Sequence, residues 1–160
     1  MNKLISLALI MLCVACSSNP VSLFAKPKPS PNLGFIDIEK FDRDLAASFD
    51  EPIKEVEVIF YDKTSPNAIP SRMQKWISAT ENTGGKVTIQ APPNEVIPKS
   101  PVALFGLFGS LFSGAKAALD MTSDARLKKA KGHDAVIFLE RNSQGDMVVS
   151  KVKFTKQPTL

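Results

Sequence analysis

The chain has 160 residues, is 44% hydrophobic and 22% charged, and carries a formal net charge of +4. This is close to the make-up of an ordinary globular protein and provides for one packed core. The mild basic charge comes with no aromatic-plus-basic binding motif, which argues against nucleic acid as a partner.

The first stretch in chain order is Met1–Cys16, MNKLISLALIMLCVAC. Lys3 supplies a positive start, and Leu4–Leu12 is an uncharged, mostly apolar run. That run is shorter than the roughly 20 residues a membrane-spanning helix needs, and has the length of a signal-peptide core. Val14 and the small residue Ala15 then lead into Cys16. The arrangement resembles the bacterial lipobox, whose cysteine is diacylated on sulfur, becomes the first residue after cleavage and is then N-acylated. The lipobox pattern prefers Leu three residues before the cysteine, where this chain has Cys13. The resemblance implies a lipoprotein signal peptide over residues 1–15, lipidation at Cys16 and attachment to a membrane through that N-terminal lipid. In the lipobox family, Asp directly after the cysteine is the inner-membrane retention signal. Ser17 stands there instead, which implies the periplasmic face of the outer membrane. The alternative is an ordinary secretory signal cut near Ala25, giving a soluble periplasmic or secreted protein. Two or more acyl chains make attachment lasting, whereas one gives only marginal binding. Both cysteines lie in this stretch, so the rest of the chain forms no intrachain disulfide and is held by packing.

Residues 16–34 read as the lipidated cysteine and a Pro-rich tether. Pro20, Pro27, Pro29 and Pro31 exclude helix, and Lys-Pro-Lys-Pro favours an extended polyproline II path. Residues 35–160 are then a single α+β domain. Asp37–Phe49 is expected to be helical, with Ile38, Phe41, Leu45 and Phe49 on one face and Asp37 as cap. Lys54–Asp62 alternates as a strand. Ile69–Asn82 places Ile69, Met73, Trp76, Ile77 and Thr80 on one stripe of a second helix, with Pro70 in its first turn and Gly84–Gly85 as its stop. Trp76 reads as a core anchor. Lys86–Gln90 is a short strand. Strand, helix and strand here fit a right-handed crossover between parallel strands, or a split arrangement with another strand between them.

Ser100–Ala115 contains no charge. Within it, Val102–Leu119 (VALFGLFGSLFSGAKAAL) sets large apolar side chains around a helix and small residues Gly106, Ser110, Gly114 and Ala118 along one line. Small residues at this spacing allow close backbone approach. Three readings stay open for this helix. It is a buried central helix, an exposed one for a partner protein or self-association, or one inserted in the membrane interface. Phe105, Gly106, Phe108, Ser110, Phe112 and Gly114 are the candidate residues of a partner or ligand surface on this helix. Helix is expected to continue through Met121–Lys131 to a stop at Gly132. Asp134–Glu140 and Asp146–Thr155 then form a hairpin, turning at Asn142–Gly145. Ala135–Leu139 is apolar on both faces, as in a central strand, whereas Lys151 and Lys153 suit a protected edge strand.

The expected fold is therefore α+β, a four-stranded mixed sheet with two to three helices in the order α-β-α-β-α-β-β. The lone His133 beside Asp134 is the acid/base candidate, and Asp62 with Asp134 is a candidate carboxylate pair. No Gly-x-Ser-x-Gly elbow, His-Glu-x-x-His pair or phosphate-binding glycine loop occurs. One histidine with no spare cysteine makes a metal site unexpected. No cofactor is implied. The reading is a non-enzymatic interaction or assembly accessory of the envelope. The alternative is a carrier of an apolar or lipid ligand using helix 102–119. Lys128, Lys129, Lys131, Lys151, Lys153 and Lys156 form either a solvated surface or a basic face toward anionic headgroups.

Overall fold

A computed structural model of the protein describes residues 26–92 and 124–158. The signal with Cys16, and helix 102–119 with Phe105, Gly106, Phe108, Ser110, Phe112 and Gly114, lie outside the described residues.

The described elements are β1 (Asn32–Gly34), α1 (Glu39–Asp50), β2 (Glu55–Thr64), α2 (Ser71–Asn82), β3 (Val87–Gln90), β4 (His133–Arg141) and β5 (Met147–Lys156). Short 3-10 turns occur at Pro66–Ala68 and Leu127–Ala130. The strands form one mixed sheet in the order β1-β2-β5-β4-β3, with β1 parallel to β2, β3 parallel to β4, and the other neighbours antiparallel. The fold is α+β, as expected.

Alternation in the strands decides which face is covered. Val56 and Val58 of β2, Ala135 and Ile137 of β4, and Val152 and Phe154 of β5 are all no more than 1% exposed. Against them pack Phe41, Leu45 and Phe49 of α1 and Met73, Trp76 and Ile77 of α2. Trp76 is fully buried, edge-on to Phe49 at 5.6 Å between ring centres. Leu127 and Ala130 of the second 3-10 turn join the same core. Burying aliphatic and aromatic side chains of this size contributes about 1.5–3 kcal/mol each.

The structure corrects the expected topology in three places. Among the described residues the sheet has five strands rather than four, because Asn32–Gly34 adds to the edge of β2. β5 is the middle strand of the described sheet and not an edge, and its Lys151 and Lys153 lie on the face away from α1 and α2, where they pair with Glu57 and Glu55 of β2. Of the two crossover arrangements open from the sequence, β2-α2-β3 takes the split one, with both β5 and β4 between its strands. Residues 127–130 form a 3-10 turn where continuing α-helix was expected.

Within residues 16–34, expected as a tether, Lys28–Gly34 is bonded to the rest of the domain. The Lys28 amide donates to Asp44 Oδ1 at 2.9 Å, and the Ser30 amide to Ser48 Oγ at 2.9 Å. Pro31 then accepts the Glu57 amide at 2.7 Å. From Lys28 onward the chain is strapped along α1 and fed into β1.

One glycine is required by packing. A Cβ on Gly85 would run into the His133 carbonyl and lie 2.7 Å from Thr80 Cγ2. The close approach lets α2 hand the chain directly to β3 beside β4.

Candidate functional site

His133 opens β4, and its side chain points inward with the apolar residues of that strand. It is 4% exposed and stacked on Phe49, with ring centres 4.3 Å apart. Nδ1 faces the Lys131 carbonyl at 3.3 Å, and Nε2 has no hydrogen-bond partner. Burial, with the Lys156 charge beside it, holds the imidazole below its ordinary pKa against the opposing pull of the Lys131 and Ala130 carbonyls and of Asp134. The corner that would have to open for acid/base work is thus filled by an aromatic stack. Asp134 points the other way. It accepts the Lys86 amide at 2.8 Å and Gln157 Nε2 at 2.7 Å, and these bonds hold its carboxyl below the usual range. Asp62 does not meet it. Asp134 shares a row with Thr155 and Glu55, and Asp62 lies further along β2 by roughly 20 Å at the usual strand rise.

A charged cleft of about 320 Å³ lies where α1 and α2 begin and where the chain re-enters at Asp124. Arg72 binds Asp37 Oδ1 at 2.8 Å and also Asp42. The other Asp42 oxygen accepts Trp76 Nε1 at 2.9 Å. Arg126 binds Asp124 Oδ1 and Glu39 Oε1, each at 2.9 Å. The Arg126 bonds lower the Asp124 pKa, against its partial burial. Asp37, expected as the cap of α1, is drawn to Arg72, and α1 starts without a side-chain cap. Each guanidinium is already satisfied by two carboxylates. The cleft therefore ties α1, α2 and the returning chain together, with Ser71 and the exposed Lys75 at its lining.

The third feature is the face of the sheet that none of the described elements covers. One cross-strand row runs Gly34, Ile59, Lys151, Phe138, Gln90, and the next runs Asn32, Glu57, Lys153, Val136, Thr88. Lys151 Nζ meets Glu57 Oε1 at 2.9 Å and Lys153 Nζ meets Glu55 Oε1 at 3.5 Å. Both ammonium groups lie over the Phe138 ring, 4.9 and 5.9 Å from its centre. Long charged side chains thus roof an apolar strip while keeping their heads in water. Sequence reasoning missed this face. The readable signal was opposite charge at the same two-residue period, Glu55 and Glu57 against Lys151 and Lys153.

Among the described residues, no group of three or more His, Cys, Asp or Glu could hold a metal ion, and no helix is long and apolar enough to cross a membrane. The chain matches no protein-family model, no curated protein and no solved structure.

Proposed function

We propose that the protein is a lipid-anchored component of the bacterial envelope, held at the periplasmic face of the outer membrane through Cys16. Its domain serves there as a non-enzymatic interaction or assembly accessory. The observation that carries this reading is the signal MNKLISLALIMLCVAC, with Ala15 before Cys16 and Ser17 after it. The strap from Lys28 to Gly34 supports it in one respect. With that segment docked on α1, the chain between Cys16 and Lys28 reaches at most about 40 Å when fully extended, so an anchored domain works close to its membrane. The roofed sheet face then offers a polar surface spanning β2, β5 and β4 for a neighbouring protein.

Fractionation tests the reading. The wild-type chain should band with outer membranes on a density gradient, and Cys16→Ala should not. After cross-linking, wild type should recover an envelope protein that Cys16→Ala does not. A wild-type protein that stays soluble, or recovers nothing above the Cys16→Ala control, overturns the proposal.

A further inference from the structure

Five exposed lysines gather at the end of the domain where β2 and β4 begin and β5 finishes: Lys54, Lys86, Lys128, Lys131 and Lys156. Backbone bonds place them together. The Lys156 amide donates to the Lys54 carbonyl at 2.9 Å, and Lys156 is the register partner of His133. The Lys131 carbonyl faces the His133 ring, the Lys131 amide donates to the Lys128 carbonyl at 3.2 Å, and the Ala135 amide donates to the Lys86 carbonyl at 2.9 Å.

None of the five makes an ion pair among the described residues, in contrast to lysines elsewhere on the domain. Lys40 is paired with Asp44, Lys129 with Asp50, Lys151 with Glu57 and Lys153 with Glu55. The carboxylates near the pole are mostly occupied. Asp50 and Glu55 hold those other lysines, and Asp134 is taken by the Lys86 amide and Gln157. Glu51 and Glu81 are exposed near its rim and leave a positive excess. The lysines expected from the sequence to form one basic face are thus sorted by the fold. Lys129, Lys151 and Lys153 are neutralised, while Lys128, Lys131 and Lys156 make no ion pair among the described residues and gain Lys54 and Lys86.

We propose that this pole docks on the phosphate-bearing headgroups of an anionic membrane. All five cations are lysines, which act as hydrated point charges on flexible stems. They suit a diffuse phosphate surface better than a fixed bidentate ligand, for which arginine is the usual residue. The strap brings the N-terminal segment onto α1, whose C-terminal end leads through Glu51–Ile53 into Lys54, so a membrane that holds the N-terminus has the pole within reach. The docking goes beyond lipid anchoring and does not require it, because charge alone drives it.

The test is co-sedimentation of the whole chain with vesicles of phosphatidylcholine alone and of phosphatidylcholine mixed with phosphatidylglycerol. A pole variant, Lys54→Gln/Lys131→Gln/Lys156→Gln, is compared with Lys40→Gln/Lys75→Gln/Lys151→Gln, which has the same net charge and leaves Asp50 and Glu55 paired. A lysine at an anionic surface contributes about fivefold in affinity, so the pole variant should lose between tenfold and about 100-fold of its binding to the anionic vesicles. The other variant should stay near wild type, and the anionic preference should fade as salt rises. Fluorescence of Trp76 checks that both variants are folded. Equal losses in the two variants would reduce the effect to net charge and overturn the proposal, as would wild-type binding with no anionic preference. Displacement by inorganic phosphate at concentrations that leave the ionic strength unchanged would make the pole a site for the soluble ion, and would also overturn it. Binding to phosphatidylcholine alone reports the N-terminal attachment, so failure of the anchor and failure of the pole are read separately.

Discussion

Replacing Asp42 tests how the charged cleft is coupled to the core. Asp42 is 7% exposed and spans two environments. One oxygen binds Arg72 at the cleft, and the other accepts the indole N–H of the fully buried Trp76 at 2.9 Å. Asp42→Ala leaves that N–H buried without an acceptor and removes a hydrogen bond to a charged group, a loss of about 2–4 kcal/mol. Arg72 keeps Asp37 and is partly solvated, so its share is within about 1 kcal/mol. Asp42→Asn retains an oxygen for the indole and should cost only about 1 kcal/mol. Trp76 is the only tryptophan in the chain, so urea unfolding followed by its fluorescence reports at the perturbed site. The reasoning is refuted if the two variants lose the same stability, or if Asp42→Ala stays within about 0.5 kcal/mol of wild type.

Gly85→Ala should lower stability by about 3 kcal/mol or more, because its Cβ meets the His133 backbone, whereas Gly84→Ala meets nothing within 4 Å and should cost only the roughly 1–2 kcal/mol of a left-handed alanine. Equal urea midpoints for the two would contradict the close approach. The depressed His133 pKa means that the unfolded chain takes up a proton more readily than the folded one. Stability should therefore be full above the unfolded value of about 6.5 and decline as pH falls below it, and His133→Gln should flatten that slope in urea titrations at stepped pH. The loss tied to Asp134 falls in a separate window, below its unfolded value of about 4. Light scattering on the chain from Ser17 onward, with and without mild detergent, separates the readings of helix 102–119, and a monomer of unchanged mass is the result expected of the buried one. A detergent-dependent oligomer would place the Phe105–Gly114 surface in self-association.

Local pattern made β2, α2 and the β4–β5 hairpin readable, since each has a clean period and a glycine or proline at its end. Trp76 was readable as a core anchor from its place on the stripe of α2. Its partner Asp42 was not, because the bond joins residues 34 apart in sequence. β1 was missed because three residues ending in glycine carry no period, and only the edge of β2 makes them a strand. The middle position of β5 was hidden for a related reason. Lysines at alternate positions mark a solvent-facing side, and that side can be the edge of a sheet or its uncovered face. Strand order is set by which apolar faces meet the helices, and no local signal in Met147–Lys156 reports it. The lysine pole was obscured in the same way, because whether a lysine is neutralised depends on carboxylates that the fold brings from distant positions.

The central claim, a lipid anchor at Cys16, is tested most directly by the mass of the N-terminal peptide released from protein purified out of membranes. The released peptide should begin at Cys16 and carry a diacylglyceryl group on sulfur and a further acyl group on the new amino terminus. An unmodified peptide beginning after Ala25, or one in which Cys16 persists as a free thiol, would contradict it.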